Sequence, residues 1–141
     1  MIRKRGSANW QGGLKDGTGT VSTQSGVLDK ANYGFNKRFG DEPGTNPEEL
    51  IGAAHASCFS MALSKILGEH DLVAEDISTE ATVTLEEKDG GFAVTKSHLK
   101  LVARIPGASQ EVFDKVTAMA KDGCPISKLL NAEITLEATL A

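Results

Sequence analysis

The chain has 141 residues, a length that suits one domain with a core large enough to need neither a disulfide staple nor a structural metal. Hydrophobic residues are 40% and charged residues 24%, as in an ordinary soluble globular protein, while 5% aromatics leave the core to Ala, Val, Leu and Ile. A net charge of -4 argues against a nucleic-acid partner, because phosphate binding needs clustered Lys and Arg, and the one basic cluster, Arg3-Lys4-Arg5, reads as a solvated strand end.

In chain order, residues 1–28 alternate and are rich in Gly, Thr and Val, and predict two strands joined by Gly turns. Residues 29–44 read as a loop carrying Tyr33, Phe35, Arg38 and Phe39, too many large side chains for a spacer. A helix then opens on strong signals. Thr45 or Asn46 can cap it, Pro47 suits the first helical position, and Glu48 and Glu49 suit the first turn. It is predicted to run to Leu67 and stop at Gly68. Its middle, Leu50 to Leu63, is apolar or small nearly all round, so one sheet face cannot cover it and a second subunit could complete its burial. Ser78–Glu87 and Phe92–Ile105 alternate around an Asp89-Gly90-Gly91 turn, which is a hairpin signal. Ser109 caps a second helix to Lys121, with Val112, Phe113, Val116, Met119 and Ala120 on one stripe. Cys124-Pro125 opens a short helical turn through Leu130, and 133–140 is the last strand. The expected class is α+β, a single domain over 1–141, with helices on a largely antiparallel sheet.

The N-terminal charges are followed by Gly6 to Gly13 where a secretory signal would be apolar. Leu50–Leu63 is too short to span a bilayer. The expectation is a cytoplasmic protein with no membrane partner, where thiols stay reduced. Two cysteines in that setting are catalytic, metal-binding or incidental rather than a static crosslink. Scattered histidines and widely spaced cysteines give no metal-ligand spacing, so no zinc site is expected.

Cys58 lies mid-helix, where it is a small core residue or a nucleophile. The helix N-terminus is out of its reach and burial raises a thiol pKa, so a reactive Cys58 needs a cation from elsewhere. Cys124, at the start of a helical turn, is by local sequence the more activated thiol. His55 shares the helix face of Cys58 and is either a base for it or a hydrogen-bonded structural residue. Arg38 is the best candidate cation, with Glu49 able to hold its guanidinium. By the residues alone, a surface ion pair plus a helix-capping residue is the simpler account of both. Glu49 precedes Cys58 by nine positions, about 13 Å along one helix, so an Arg38–Glu49 pair acting on Cys58 would come from a partner subunit.

The run from Gly44 to Ser64, through Gly52-Ala53-Ala54-His55-Ala56-Ser57-Cys58-Phe59-Ser60, resembles the helix motif of the osmotically inducible protein C (OsmC) family, relatives of the organic hydroperoxide resistance proteins. Cys124-Pro125-Ile126-Ser127 resembles the family's second cysteine motif. Gly19-Thr20-Val21-Ser22-Thr23 and Tyr33-Gly34-Phe35-Asn36-Lys37-Arg38-Phe39 match its opening. The resemblance covers nearly the whole chain and is closest to the OsmC branch.

It implies an intertwined homodimer of α+β subunits, with antiparallel sheets wrapping long central helices. It implies a cofactor-free peroxidase in which Cys58 attacks an organic hydroperoxide (and hydrogen peroxide less well), Cys124 resolves the sulfenic acid to a disulfide, and Arg38 and Glu49 activate Cys58. An external dithiol then restores both thiols. Tyr33, Phe35, Phe39 and Met61 are candidates to line a pocket for the organic tail, with core packing the equal alternative for Met61. Two other readings stay open: a Cys58–His55 hydrolase or acyl transferase, and a dimeric stress protein with inert thiols.

Overall fold

A computed structural model describes residues 1–141, which divide into two compact units, 1–50 and 51–141. The first unit is a three-stranded antiparallel sheet, β1 (Gly6–Gln11), β2 (Thr18–Thr23) and β3 (Ala31–Tyr33), followed by the short helix α1 (Phe35–Phe39). Its two leading strands are those the alternation predicts. β3 and α1 fall where a loop is expected. β3 is three residues and α1 five, too short for either periodicity to show among Gly34, Gly40, Pro43 and Gly44. All six residues of β1 are exposed, and Trp10 and Tyr33 stack at 5.5 Å between ring centroids.

The helix α2 (Pro47–Glu69) begins at Pro47, as expected. Asn46, not Thr45, supplies the cap, its Oδ1 accepting the Glu49 backbone N–H at 2.8 Å. The helix runs past Gly68. Asp71 takes the left-handed conformation (φ 57), with its N–H donating to Gly68 O and the Leu72 N–H donating to Leu67 O, a Schellman ending. At 23 residues, α2 is long and apolar enough, by length and composition alone, to cross a bilayer, unlike the shorter stretch from which the expectation was drawn. Phe59, Leu63 and Leu67 are nonetheless buried in a protein core.

In the second unit, β4 (Asp76–Lys88) and β5 (Gly91–Arg104) form the predicted hairpin, turning on Asp89 (φ 52) and Gly90 (φ 81). α3 (Gln110–Gly123) is capped by Ser109, whose side chain accepts the Val112 N–H. Its buried stripe is Phe113, Val116, Thr117 and Ala120. Met119, expected on that stripe, is 41% exposed. Thr117 occupies the buried position instead by donating its hydroxyl to Phe113 O. α4 (Pro125–Leu129) follows, then β6 (Glu133–Leu140). β6 runs parallel to β5, so this sheet is mixed. Alternation turns Ser97, Leu99, Leu101 and Ala103 of β5 inward, where the three apolar residues share one core with the α2 and α3 stripes.

Leu63 is wholly buried in that core. Leu63→Ala is expected to lower the unfolding free energy by about 2–5 kcal/mol, a large part of the roughly 5–15 kcal/mol of a typical domain. Denaturant titration measures it, and a loss below about 1 kcal/mol would contradict the assigned core.

Candidate active site

Two rows of side chains run down α2 in the second unit. Gly52, His55, Phe59, Leu63 and Leu67 form the buried row. Cys58, Ala62 and Ile66 form the next, packed against the core yet only partly covered. This second row lines an open cleft of about 810 Å³, with Met61 and Lys65 on one side and Gly123, Pro125 and Ile126 on the other. Lys65 is 80% exposed and paired with Glu69 at 3.6 Å.

Cys124 sits at the junction of α3 and α4, capping both. Its N–H donates to Ala120 O and its carbonyl accepts the Lys128 N–H. The junction places the Cys124 thiol and the Ile126 N–H near enough to Cys58 to act on its titration. Both thiols are free. Burial pushes the Cys58 thiol pKa up, and the Cys124 thiol pushes it further; only the Ile126 N–H opposes them. Cys58 is partly exposed and opens on the cleft, whereas Cys124 is wholly buried. Local sequence favours Cys124 as the activated thiol; exposure favours Cys58 as the one a substrate can reach.

His55 is also wholly buried. Its Nδ1 lies 2.6 Å from Ser97 Oγ on β5, and its Nε2 lies 2.8 Å from Ser127 Oγ on α4. Both ring nitrogens are thus engaged by hydroxyls, which serve either neutral tautomer, and neither is left for Cys58. Burial holds the His55 pKa below its ordinary value. No buried side-chain nitrogen or oxygen lacks a partner.

Arg38 and Glu49 belong to the first unit. The Arg38 guanidinium forks onto Glu48, with Nε 3.0 Å and Nη2 2.7 Å from Oε1. Glu48, rather than the expected Glu49, is therefore its partner within the chain. Successive helix residues point about 100° apart, and α1 presents Arg38 to the Glu48 side. The Glu49 side chain is exposed. Arg38 also borders a cavity of about 300 Å³ lined by Trp10, Leu14, Tyr33, Phe35, Phe39 and Pro47. Of the four residues expected in one pocket, Met61 lines the Cys58 cleft of the second unit, and the three aromatics line this cavity of the first.

Ser97, Ser127, Glu48 and the Ile126 N–H are contributors that sequence reasoning did not single out. Ser97 had a readable signal, since it shares the inward face of an alternating strand with Leu99, Leu101 and Ala103. An inward serine among those residues needs a polar partner.

A family model for OsmC-like proteins matches residues 40–139. The chain is 56% identical over 136 residues to peroxiredoxin OsmC of Escherichia coli, covering 96% of this chain and 95% of that one. It is 30% identical over 122 residues to organic hydroperoxide resistance protein OhrB of Bacillus subtilis, covering 84% and 88%. The crystal structure of that OhrB superposes with a TM-score of 0.70 at 27% identity, covering 97% of this chain and 98% of that one.

Two outcomes follow from the site's geometry. A limiting thiol reagent is expected to label Cys58 and spare Cys124 until the protein unfolds, as peptide mapping would read out; equal labelling would contradict the exposures above. His55 has a lowered folded pKa, so the unfolded chain binds more protons near neutrality. Its contribution to stability is full above the unfolded value of about 6.5 and is lost as pH falls through the folded pKa. Melting temperatures between pH 5 and 8 should drop toward acid less steeply in His55→Gln than in the wild type. Identical slopes would remove His55 as the source.

Proposed function

The chain belongs to the OsmC family, and on that premise we propose that it is a thiol peroxidase that reduces organic hydroperoxides, with Cys58 attacking and Cys124 resolving. The observation that carries this reading is a partly exposed Cys58 opening on an apolar cleft with a wholly buried second thiol beside it. The names of the E. coli and B. subtilis relatives support it. The Cys58 thiolate attacks one peroxide oxygen. The O–O bond breaks, the other oxygen takes a proton and leaves as alcohol, and Cys58 becomes a sulfenic acid. Cys124 attacks the Cys58 sulfur, a disulfide forms and water leaves. An external dithiol, itself oxidised to a disulfide, returns both thiols by exchange. The apolar walls of the cleft suit an organic tail better than hydrogen peroxide.

Within the second unit, burial and the Cys124 thiol keep the Cys58 pKa above its ordinary value. Lys65 does not supply the missing charge, being exposed, ion-paired and about 10 Å farther along the helix. Arg38 of a partner subunit, oriented by Glu48 and Glu49, fits that need, because Glu49 lies about 13 Å along the helix from Cys58 of its own chain. A homodimer is further supported by what α2 leaves uncovered, Met61 at 75% exposure among it, and by the exposed β1. The cytoplasm, with its dithiol reductants, is the compartment in which this cycle would run. The hydrolase reading loses its base, because both nitrogens of His55 are occupied.

Peroxide consumption with a dithiol donor tests the proposal. Cys58→Ser should abolish turnover and Cys124→Ser should stop after one equivalent. Arg38→Ala should lower kcat/KM by about 10²–10³-fold, the cost of removing one charge-stabilising donor, and should move the pH profile of Cys58 alkylation upward. Full activity in Cys58→Ser would sink the reading. Wild-type thiols unchanged after one equivalent of alkyl hydroperoxide would favour the inert-thiol alternative.

A further inference from the structure

His55, Ser97 and Ser127 take no part in the chemistry above, yet they join the two cysteine-bearing segments. His55 lies on α2 three residues before Cys58, and Ser127 lies on α4 three residues after Cys124. Beyond the buried Cys124 at its start, the α4 turn has few anchors of its own. It is five residues long, lacks a side-chain cap at Cys124 and contains no buried residue; a helix that short is not stable by itself. Ile126 packs partly on the core, and the Ser127 hydroxyl reaches His55 Nε2. The imidazole is in turn fixed on its opposite nitrogen by Ser97 of β5. A ring tethered at one nitrogen can still swing about its side-chain bonds, whereas tethers on both nitrogens set its plane. The bridge thus runs from the sheet, through α2, to the segment that presents both the Cys124 thiol and the Ile126 N–H to Cys58.

We propose that His55 is a positioning residue for the second half of the reaction: through Ser127 it keeps the Cys124 turn against the Cys58 helix, so that the sulfenic acid closes to the disulfide before a second hydroperoxide reaches it. The proposal rests on the peroxidase reading. With the turn held, Cys124 attacks the Cys58 sulfur, the S–O bond breaks and the hydroxyl leaves as water. With the turn loosened, the sulfenic acid persists and a second hydroperoxide oxidises it to the sulfinic acid, releasing alcohol. His55 exchanges no proton with either sulfur in this scheme.

The test uses the full-length wild type, Ser127→Ala and Ser127→Thr, treated with an alkyl hydroperoxide and followed by rapid quench and mass spectrometry. Ser127→Ala is expected to lose Cys58 thiol at a rate within about twofold of wild type, because the attacking step is untouched. Disulfide formation should slow about tenfold, the size of one lost hydrogen bond, and sulfinic acid per turnover should rise in proportion. Ser127→Thr keeps a hydroxyl and should restore both. Disulfide formation at the wild-type rate in Ser127→Ala would overturn the proposal. So would equal slowing of both steps with a lower melting temperature, the mark of general loosening. A wild type that loses no thiol would instead overturn the peroxidase reading itself, without recourse to any variant.

Discussion

Cys58 stands in the middle of a 23-residue helix, and that position sets the demands on the rest of the site. It is about 16 Å along the axis from Pro47, and the field of a helix end fades within one turn. Every backbone N–H of its own helix nearby is already bonded along the axis. Burial then disfavours the thiolate. Whatever ionises this sulfur, donates to it or reacts with it must therefore arrive on another segment. The second unit supplies two such groups from one place, the Ile126 N–H and the Cys124 thiol.

Those two groups pull in opposite directions. The N–H favours the thiolate, while the neighbouring thiol disfavours it. A resolving cysteine close enough to capture a sulfenic acid is also close enough to hinder the ionisation that precedes it. In the proposed cycle a cation overcomes both burial and the second thiol. Arginine suits the task because it stays charged at any working pH and its planar fork can be held by a carboxylate while one edge faces a substrate. Glu48 holds Arg38 in such a fork, which suits the role proposed for it.

Much of this was legible from residue order. Capping residues at Asn46, Pro47 and Ser109, the Asp89-Gly90 turn and the alternation of β4, β5 and β6 give the major elements nearly to their ends. What was hidden has physical causes. Five-residue α1 is less than two turns, so no stripe can form on it. Alternation reports which face of a strand is inward and nothing about its direction, so the parallel pairing of β6 left no trace. The choice between Glu48 and Glu49 depends on where α1 presents Arg38, which is tertiary information. The two cysteines read singly even invert their order, because helix-start chemistry is local whereas exposure is decided by the whole core.

The direction of β6 has its own consequence for the site. An antiparallel neighbour could follow β5 through a tight turn, but a parallel one obliges the chain to travel back the full length of the strand before it can pair. Here that return journey is α3 and α4, and Cys124 rides on it at the corner between them. The second thiol is thus carried by a span anchored in adjacent strands at both ends. Its reach toward Cys58 is set by the length of the return path, so insertions or deletions between Ile105 and Ala132 would detune the pairing of the thiols while leaving every strand of the sheet in register.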